Sequence, residues 1–135
     1  MACSVSPTGS VAFTAAGTCL IDANQVGNAD YNAAQPRQYQ FDVAQAAQSI
    51  SFTSTAPNCP CSFGRTYPVT ATGGGSGSPV TFNIDPSSTP LTCSISGPTV
   101  TINGGMPGTC IIEAFQAGDT NYSAAPEEQQ TIGAS

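Results

Sequence analysis

The sequence contains no histidine, no lysine and no tryptophan, and its two cationic side chains are those of Arg37 and Arg65. Without histidine, an ordinary serine- or cysteine-based catalytic triad cannot be assembled. Without lysine, an intramolecular isopeptide bond to Asn or Asp is excluded. Without tryptophan, a carboxylate pair acting on a glycosidic bond would lack a common platform for the sugar. These absences predict that the chain is not an enzyme.

Charge and long apolar runs are also scarce. Charged residues make up 7% of the chain and the formal net charge is −6, so we expect no electrostatic binding of nucleic-acid phosphates. Because no run of about 18 apolar residues occurs, we expect no membrane span. The opening "MACSVSPTGS" lacks the basic and apolar regions of a signal peptide. We therefore expect either that a leader was removed or that the chain is a piece of a longer one.

What the chain does contain favours β-structure. Its 135 residues include 14 Gly and 11 Pro, a profile typical of short strands joined by turns. The Gly-rich stretch at 73–78 is predicted to be a flexible hairpin. Alternating β-branched and aromatic residues predict four strands within residues 3–43, and seven further strands at 49–53, 66–72, 79–84, 93–97, 99–103, 110–117 and 128–132. This spacing predicts an all-β fold, an antiparallel sandwich.

The sequence repeats itself. Residues 3–41 resemble residues 93–132, with Cys93 following Cys3 by 90 residues and Cys110 following Cys19 by 91. About 45 residues of strand-and-turn sequence precede the second copy, whereas only Met-Ala precedes the first. We therefore expect two domains: residues 1–44 as the C-terminal half of one module, and residues 45–135 as a complete module.

The most similar stretches are "TCLIDANQVGNADYNAA" (18–34) and "TCIIEAFQAGDTNYSAA" (109–125). The first offers Asp22, Asn24, Asn28 and Asp30, whose hard oxygen atoms suit calcium. The second copy, however, has Phe115 in place of Asn24, and neither stretch has the order of a calcium loop. Asn and Asp beside Gly also favour turns that contain no metal. The stretch is interpreted as scaffold, and no metal or cofactor is expected.

The pattern resembles the Ig-like repeats found in tandem in large bacterial surface and secreted proteins. The resemblance covers essentially the whole chain and is most specific in the C-S-[VI]-S start, the G-T-C strand and the Q-x-G-x-x-x-Y-x-A-A tail. It implies an Ig-like β-sandwich that serves as a spacer, stalk or adhesive module, and it supplies no catalytic residues. The "NCPC" stretch at 58–61 departs from the family, so the partners of its cysteines are open.

Six cysteines suggest an oxidising, extracellular or cell-surface setting, and their spacing does not fit a zinc site. The repeat places Cys3 with Cys19 and Cys93 with Cys110 as equivalent disulfides, with free buried thiols as the alternative. For the neighbours Cys59 and Cys61 three states compete: a bond to each other, bonds to other chains, and reduced or mixed states. Redox catalysis by this C-x-C pair is a weak third hypothesis, because Arg65 is its only nearby cation.

Two tyrosines, Tyr31 and Tyr122, occupy the same place in the two copies, just before Ala-Ala. We expect each to form a structural corner, with its ring packed on the sandwich and its hydroxyl bonded to nearby backbone. A binding role for the phenol is the alternative.

The incomplete first module is the main clue to function. Half a sandwich exposes an apolar face and unpaired strand edges, which promote association. We expect a non-enzymatic extracellular structural protein, a stalk, spacer or filament subunit, whose half module is completed by neighbouring repeats or by strand complementation from other copies. The runner-up is an adhesin-type module that binds a glycan or a surface receptor through turns such as 73–78 and 117–121.

Overall fold

A computed structural model describes residues 1–104 and 108–134. The chain divides into two compact units, Met1–Ala46 (unit 1) and Ala47–Ser135 (unit 2). Among the described residues every regular element is a β-strand and every pairing is antiparallel, so the prediction of an all-β chain is confirmed. The described part of the chain contains no helix with the length and apolarity needed to cross a membrane.

Unit 1 consists of two hairpins. The first pairs Cys3 with Phe13 and Val5 with Val11, and its turn is closed by the Gly9 amide donating to the Ser6 carbonyl. The second pairs Cys19 with Phe41 across seven residues of each strand. The four strands are β1 (Cys3–Val5), β2 (Val11–Phe13), β3 (Gly17–Ala23) and β4 (Arg37–Val43).

The strands of unit 2 are β5 (Ser51–Phe52), β6 (Thr66–Pro68), β7 (Ala71–Thr72), β8 (Val80–Ile84), β9 (Cys93–Ser96), β10 (Thr99–Ile102), β11 (Gly108–Gln116) and β12 (Glu128–Ala134). They form two three-stranded sheets, with strand orders β6-β10-β9 and β12-β11-β8, and a two-stranded sheet of β5 and β7. The longest strand, β11, is bonded on both sides, and its alternating burial follows from that central place.

The structure changes two expectations around residue 70. The predicted strand at 66–72 is two strands in different sheets, because the Val69 amide donates to the Pro98 carbonyl while the Thr70 carbonyl accepts from Thr53. The Gly-rich stretch at 73–78 is therefore not a hairpin turn: it connects β7 and β8, which pair with different partners. The stretch "NGGMPG" at 103–108 is also predicted to be a turn, and its residues 105–107 lie outside the described residues.

One apolar core holds unit 2 together. It takes residues from both three-stranded sheets and from the segments that precede and follow β6. Its buried members are Cys61, Tyr67, Val69, Val100, Ile102, Cys110, Ile112 and Ile132. The Cys93–Cys110 disulfide links β9 of one sheet to β11 of the other across this core.

Candidate functional site

The six cysteines form three disulfides, Cys3–Cys19, Cys59–Cys61 and Cys93–Cys110, so disulfide bonding is confirmed. The first joins β1 to β3 in unit 1, as the third joins β9 to β11 in unit 2. These two bonds occupy equivalent places in the repeat and fix the correspondence between the units. With them aligned, β1 to β4 correspond to β9 to β12.

The bonded pairing of strands identifies equivalent core positions. In unit 2, Cys93 is opposite Ile102 and Cys110 is opposite Ile132; in unit 1, Cys3 is opposite Phe13 and Cys19 is opposite Phe41. Five buried core residues of unit 2 lie in β10, β11 and β12. Their counterparts in unit 1, in the same order, are Val11, Phe13, Cys19, Ile21 and Phe41, matching Val100, Ile102, Cys110, Ile112 and Ile132.

These counterparts differ sharply in exposure. Ile102 and Val100 are fully buried, whereas Phe13 is 60% exposed and Val11 is 36% exposed. Cys19 alone among the five is fully buried in unit 1. The residues on this side of β1 to β4 form what we call the apolar face of unit 1: Val5, Val11, Phe13, Ile21, Tyr39 and Phe41.

Aromatic rings concentrate on this face. The rings of Phe13 and Phe41 meet edge to face with centroids 5.6 Å apart, and Tyr39 lies 6.2 Å from Phe41. Tyr39 is 70% exposed. Exposed aromatic groups that touch one another are typical of a surface that binds another polypeptide or a ligand.

The strand edges of unit 1 match this exposure. In unit 2, β11 pairs with β12 on one side and with β8 on the other, where Ile112–Gln116 meet Val80–Ile84. The equivalent strand β3 pairs with β4 alone in the described structure, and it ends at Ala23, two residues short of the point that corresponds to the end of β11. The edge of β3 at residues 21–25 is therefore open to another strand.

The repeated stretch that includes Asn28 and Asp119 is a loop with the same internal hydrogen bonds in both units. Asn28 Oδ1 accepts from the amides of Asp30 and Tyr31 at 2.9 Å, and Asp119 Oδ1 accepts from Asn121 and Tyr122 at 2.8 Å. A Cβ atom on the preceding glycine of either loop would overlap the tyrosine carbonyl, which explains why glycine is present in both. These hydrogen bonds explain the position of the Asn28 side chain without a metal ion.

In unit 2 this loop is covered by the Gly-rich connection. The Gly74 amide donates to Gln116 Oε1 at 2.7 Å, and Gln116 Nε2 donates to the Ser78 carbonyl at 2.8 Å. The backbone of Gly75 lies so close to the ring of Tyr122 that a Cβ atom there would overlap it. The glycines of 73–78 thus allow a close approach of backbone to side chains.

The two predicted corner tyrosines consequently lie in different surroundings. Tyr122 is half-buried beside Gly75, whereas Tyr31 is 76% exposed. The bond expected between each hydroxyl and nearby backbone stays a prediction. A tyrosine that sequence reasoning did not single out is anchored instead: the buried Tyr67 hydroxyl donates to Gln130 Oε1 at 2.7 Å and lies 2.6 Å from Ser54 Oγ.

A cluster of three carboxylates was also missed, because its members are distant in sequence. Asp85, Glu113 and Glu127 have oxygen atoms within 4.8 Å of one another, and Gln129 Nε2 donates to both Asp85 and Glu127 at 2.8 Å. Hydrogen bonds from the Ser87 hydroxyl and amide lower the pKa of Asp85. Desolvation, a hydrogen bond shared with Asp85 and the charges of Glu127 and Asp85 raise the pKa of Glu113.

Two further features of unit 2 bear on binding and redox chemistry. An open groove of about 470 Å³ is lined by residues of β7, of the Gly-rich connection and of β8, among them Val80 and Phe82. Cys59 and Cys61 are bonded to each other, and their side chains pack on the core, with Cys61 buried. The Cys59–Cys61 disulfide is therefore part of the packed core of unit 2.

Comparison of the chain with family models, with curated proteins and with solved structures found no match.

Proposed function

We propose that this protein is a non-enzymatic, extracellular structural protein of Ig-like modules, which joins to other repeats of the same kind through the apolar face of unit 1. Its role is that of a stalk, spacer or filament subunit. The observation that carries this proposal is the contrast between equivalent positions: side chains that form the core of unit 2 lie uncovered in unit 1.

The disulfides support the extracellular and structural parts of the proposal. Three bonded pairs are stable in an oxidising compartment and are rare in a reducing one. Each of the two equivalent bonds ties a pair of hairpin strands to the strand pair that follows it. Such a bond limits how far the chain extends when it is pulled, which suits a load-bearing module.

Sedimentation velocity of the oxidised chain over a range of concentrations tests the joining role. We expect association that strengthens with concentration, since uncovered aromatic faces bury area when they meet. The Phe13→Ser variant removes an exposed ring from the face and should weaken association. Leu20→Ser is the matched control, because Leu20 is also half exposed but lies on the opposite side of β3.

Two results would contradict the proposal. One is a compact monomer at every concentration, since an apolar face that joins modules should associate when nothing covers it. The other is an equal loss of association in Phe13→Ser and Leu20→Ser, which would mean that the apolar face is not the contact surface.

A binding module for a glycan or a surface receptor is the second candidate, favoured by the groove beside residues 73–78 and by the rings on unit 1. The side-chain amide of Gln116 lines that groove, yet both its polar atoms are engaged with backbone. A glycan array would support this candidate if a hit were lost on Phe82→Ser, or on Tyr39→Ser for the aromatic face.

A further inference from the structure

We infer that unit 1 is an acceptor for one kind of partner: a polypeptide segment that forms four strands with the order and apolar pattern of residues 51–84, supplied from outside residues 1–135. This inference rests on the proposed function and names its partner. We call such a polypeptide a β5–β8-type segment.

Unit 2 shows what such a segment does when it is in place. Its last strand, β8, pairs with β11 so that Ile84 is opposite Ile112 and Val80 is opposite Gln116. An earlier strand, β6, pairs with β10 so that Tyr67 is opposite Val100. The segment also brings buried side chains over the inner face, among them Val69, which is fully buried.

Unit 1 presents the same two acceptor edges. The open edge of β3 at residues 21–25 corresponds to the part of β11 that receives β8. The free side of β2 corresponds to the side of β10 that receives β6. On the inner side of these strands, Phe13 and Phe41 lie at the positions that Ile102 and Ile132 occupy in unit 2, where both share a core with Val69.

The loop ending at Tyr31 indicates a further feature of the partner. Its backbone matches the loop at Tyr122, down to the Asx hydrogen bonds, but Tyr31 is exposed where Tyr122 meets Gly75. Gln25 is likewise exposed, whereas the equivalent Gln116 is buried and holds the Gly-rich connection by two hydrogen bonds. The partner therefore carries a glycine-rich connection between its last two strands.

Stoichiometry excludes a second copy of this chain as the regular partner. Each copy has two halves that need a β5–β8-type segment, residues 3–43 and 93–134, and one such segment, residues 51–84. That segment is already paired with β10 and β11 of its own unit. If identical copies exchanged this segment, each unit that gained it would leave another unit without it. One half per copy would therefore always lack a segment.

An extended chain tests the inference directly. Residues 47–92 are duplicated and fused to the amino-terminal side of Cys3, replacing Met1 and Ala2, with Cys59→Ser and Cys61→Ala in the added copy to prevent mispairing. We expect alternate amides within residues 21–25 to exchange hydrogen at least about 100-fold more slowly than in the unextended chain. We also expect the concentration-dependent association to disappear. The matched control is the same extension with Val69→Asp in the added copy, which should restore both properties of the unextended chain.

The outcomes separate the inference from the proposed function. If the extension protects residues 21–25 no better than the Val69→Asp control, while association through Phe13 persists, the partner is wrongly identified and the joining role stands. If the unextended chain forms a dimer of defined size in which residues 21–25 are already protected, a second copy is the partner and the inference is overturned. If neither extension nor Phe13→Ser changes a monomeric chain, both proposals fail.

Discussion

Units 1 and 2 carry nearly the same four strands, yet they differ in what those strands bury. In unit 2 the residues of β10, β11 and β12 form a closed core with Tyr67 and Val69. In unit 1 the buried apolar residues are Ala2, Cys3 and Cys19, so the disulfide itself is most of the core. This difference is the basis of our inference that the four-strand half specifies a backbone and depends on a further segment to bury its side chains.

Removing the equivalent disulfides should have the largest effect on the difference between the two units. Loops of this length make a disulfide worth about 3 kcal/mol in the chain-entropy account. We expect Cys3→Ala/Cys19→Ala to abolish slow amide exchange throughout unit 1, because little other core remains there. We expect Cys93→Ala/Cys110→Ala to lower the free energy of unfolding of unit 2 by about 3 kcal/mol and to leave it folded.

Hydrogen exchange resolved by residue gives both measurements, and each double variant is the control for the other. Unit 1 keeping its exchange protection without the Cys3–Cys19 bond would show that its hairpins are stable without a core. That result would remove the physical need for a partner.

A single core substitution sharpens the same contrast. Ile102→Ala removes a fully buried side chain from β10 and should lower the free energy of unfolding of unit 2 by about 2–5 kcal/mol. Phe13→Ala removes a larger side chain at the equivalent position of unit 1, but because Phe13 is mostly exposed we expect about 1 kcal/mol or less.

Urea unfolding followed by hydrogen exchange in each unit measures the two effects separately. Equal losses would mean that Phe13 is already covered in solution. Repeating Phe13→Ala in the extended chain should raise its cost toward that of Ile102→Ala, since the ring is then expected to be buried.

Much of the strand pattern could be predicted from the sequence, because alternating apolar residues and the two spaced cysteines are local signals. The strands β8 to β12 lie within a few residues of their predicted positions. The split at residue 70 could not be predicted, since it depends on which partners Val69 and Thr70 find in Pro98 and Thr53. The alternation of 66–72 is the same for one strand or two.

The sequence indicated the candidate site only through the difference between the two copies, since the first lacks the strand-and-turn sequence that precedes the second. That difference predicted an exposed face, but not which side chains form it. The register of β1 on β2 and of β3 on β4 assigns Phe13 and Phe41 to the inner side. The Asp85–Glu113–Glu127 cluster depends on the pairing of β8 with β11, and on Gln129 reaching Asp85, which sequence spacing does not reveal.

That cluster forms because the β5–β8 segment of unit 2 brings Asp85 beside Glu113. The prediction that it supports concerns the smallest change in stability. Glu113 corresponds to Asp22 of unit 1, and each is opposite a glutamine on the next strand. In unit 1 Gln38 Nε2 donates to Asp22 at 2.9 Å, whereas in unit 2 Gln129 donates to Asp85 and Glu127 instead. The carboxylate following β8 therefore redirects the glutamine and places Glu113 among acidic groups.

The raised pKa of Glu113 fixes the direction of a pH effect. Because the folded state holds this proton more tightly than the unfolded state, the contribution of Glu113 to stability is full below its unfolded pKa and is lost as the pH rises through the raised pKa. Asp85 acts in the opposite sense, because its lowered pKa stabilises the fold above its unfolded pKa and that gain is lost as the pH falls through the folded pKa.

We expect Glu113→Gln to remove the decline in the stability of unit 2 with rising pH. The loss of stability at low pH, which belongs to Asp85, should remain. Thermal unfolding of unit 2 from about pH 3 to about pH 8 measures both changes in stability, because this pH range brackets the ordinary carboxyl pKa values. Asp22→Asn is the matched control, since it removes the equivalent carboxylate from the other unit and should leave the profile of unit 2 unchanged. A Glu113→Gln profile parallel to that of the unchanged chain would show that β8 does not hold Asp85 close enough to Glu113 to share a proton.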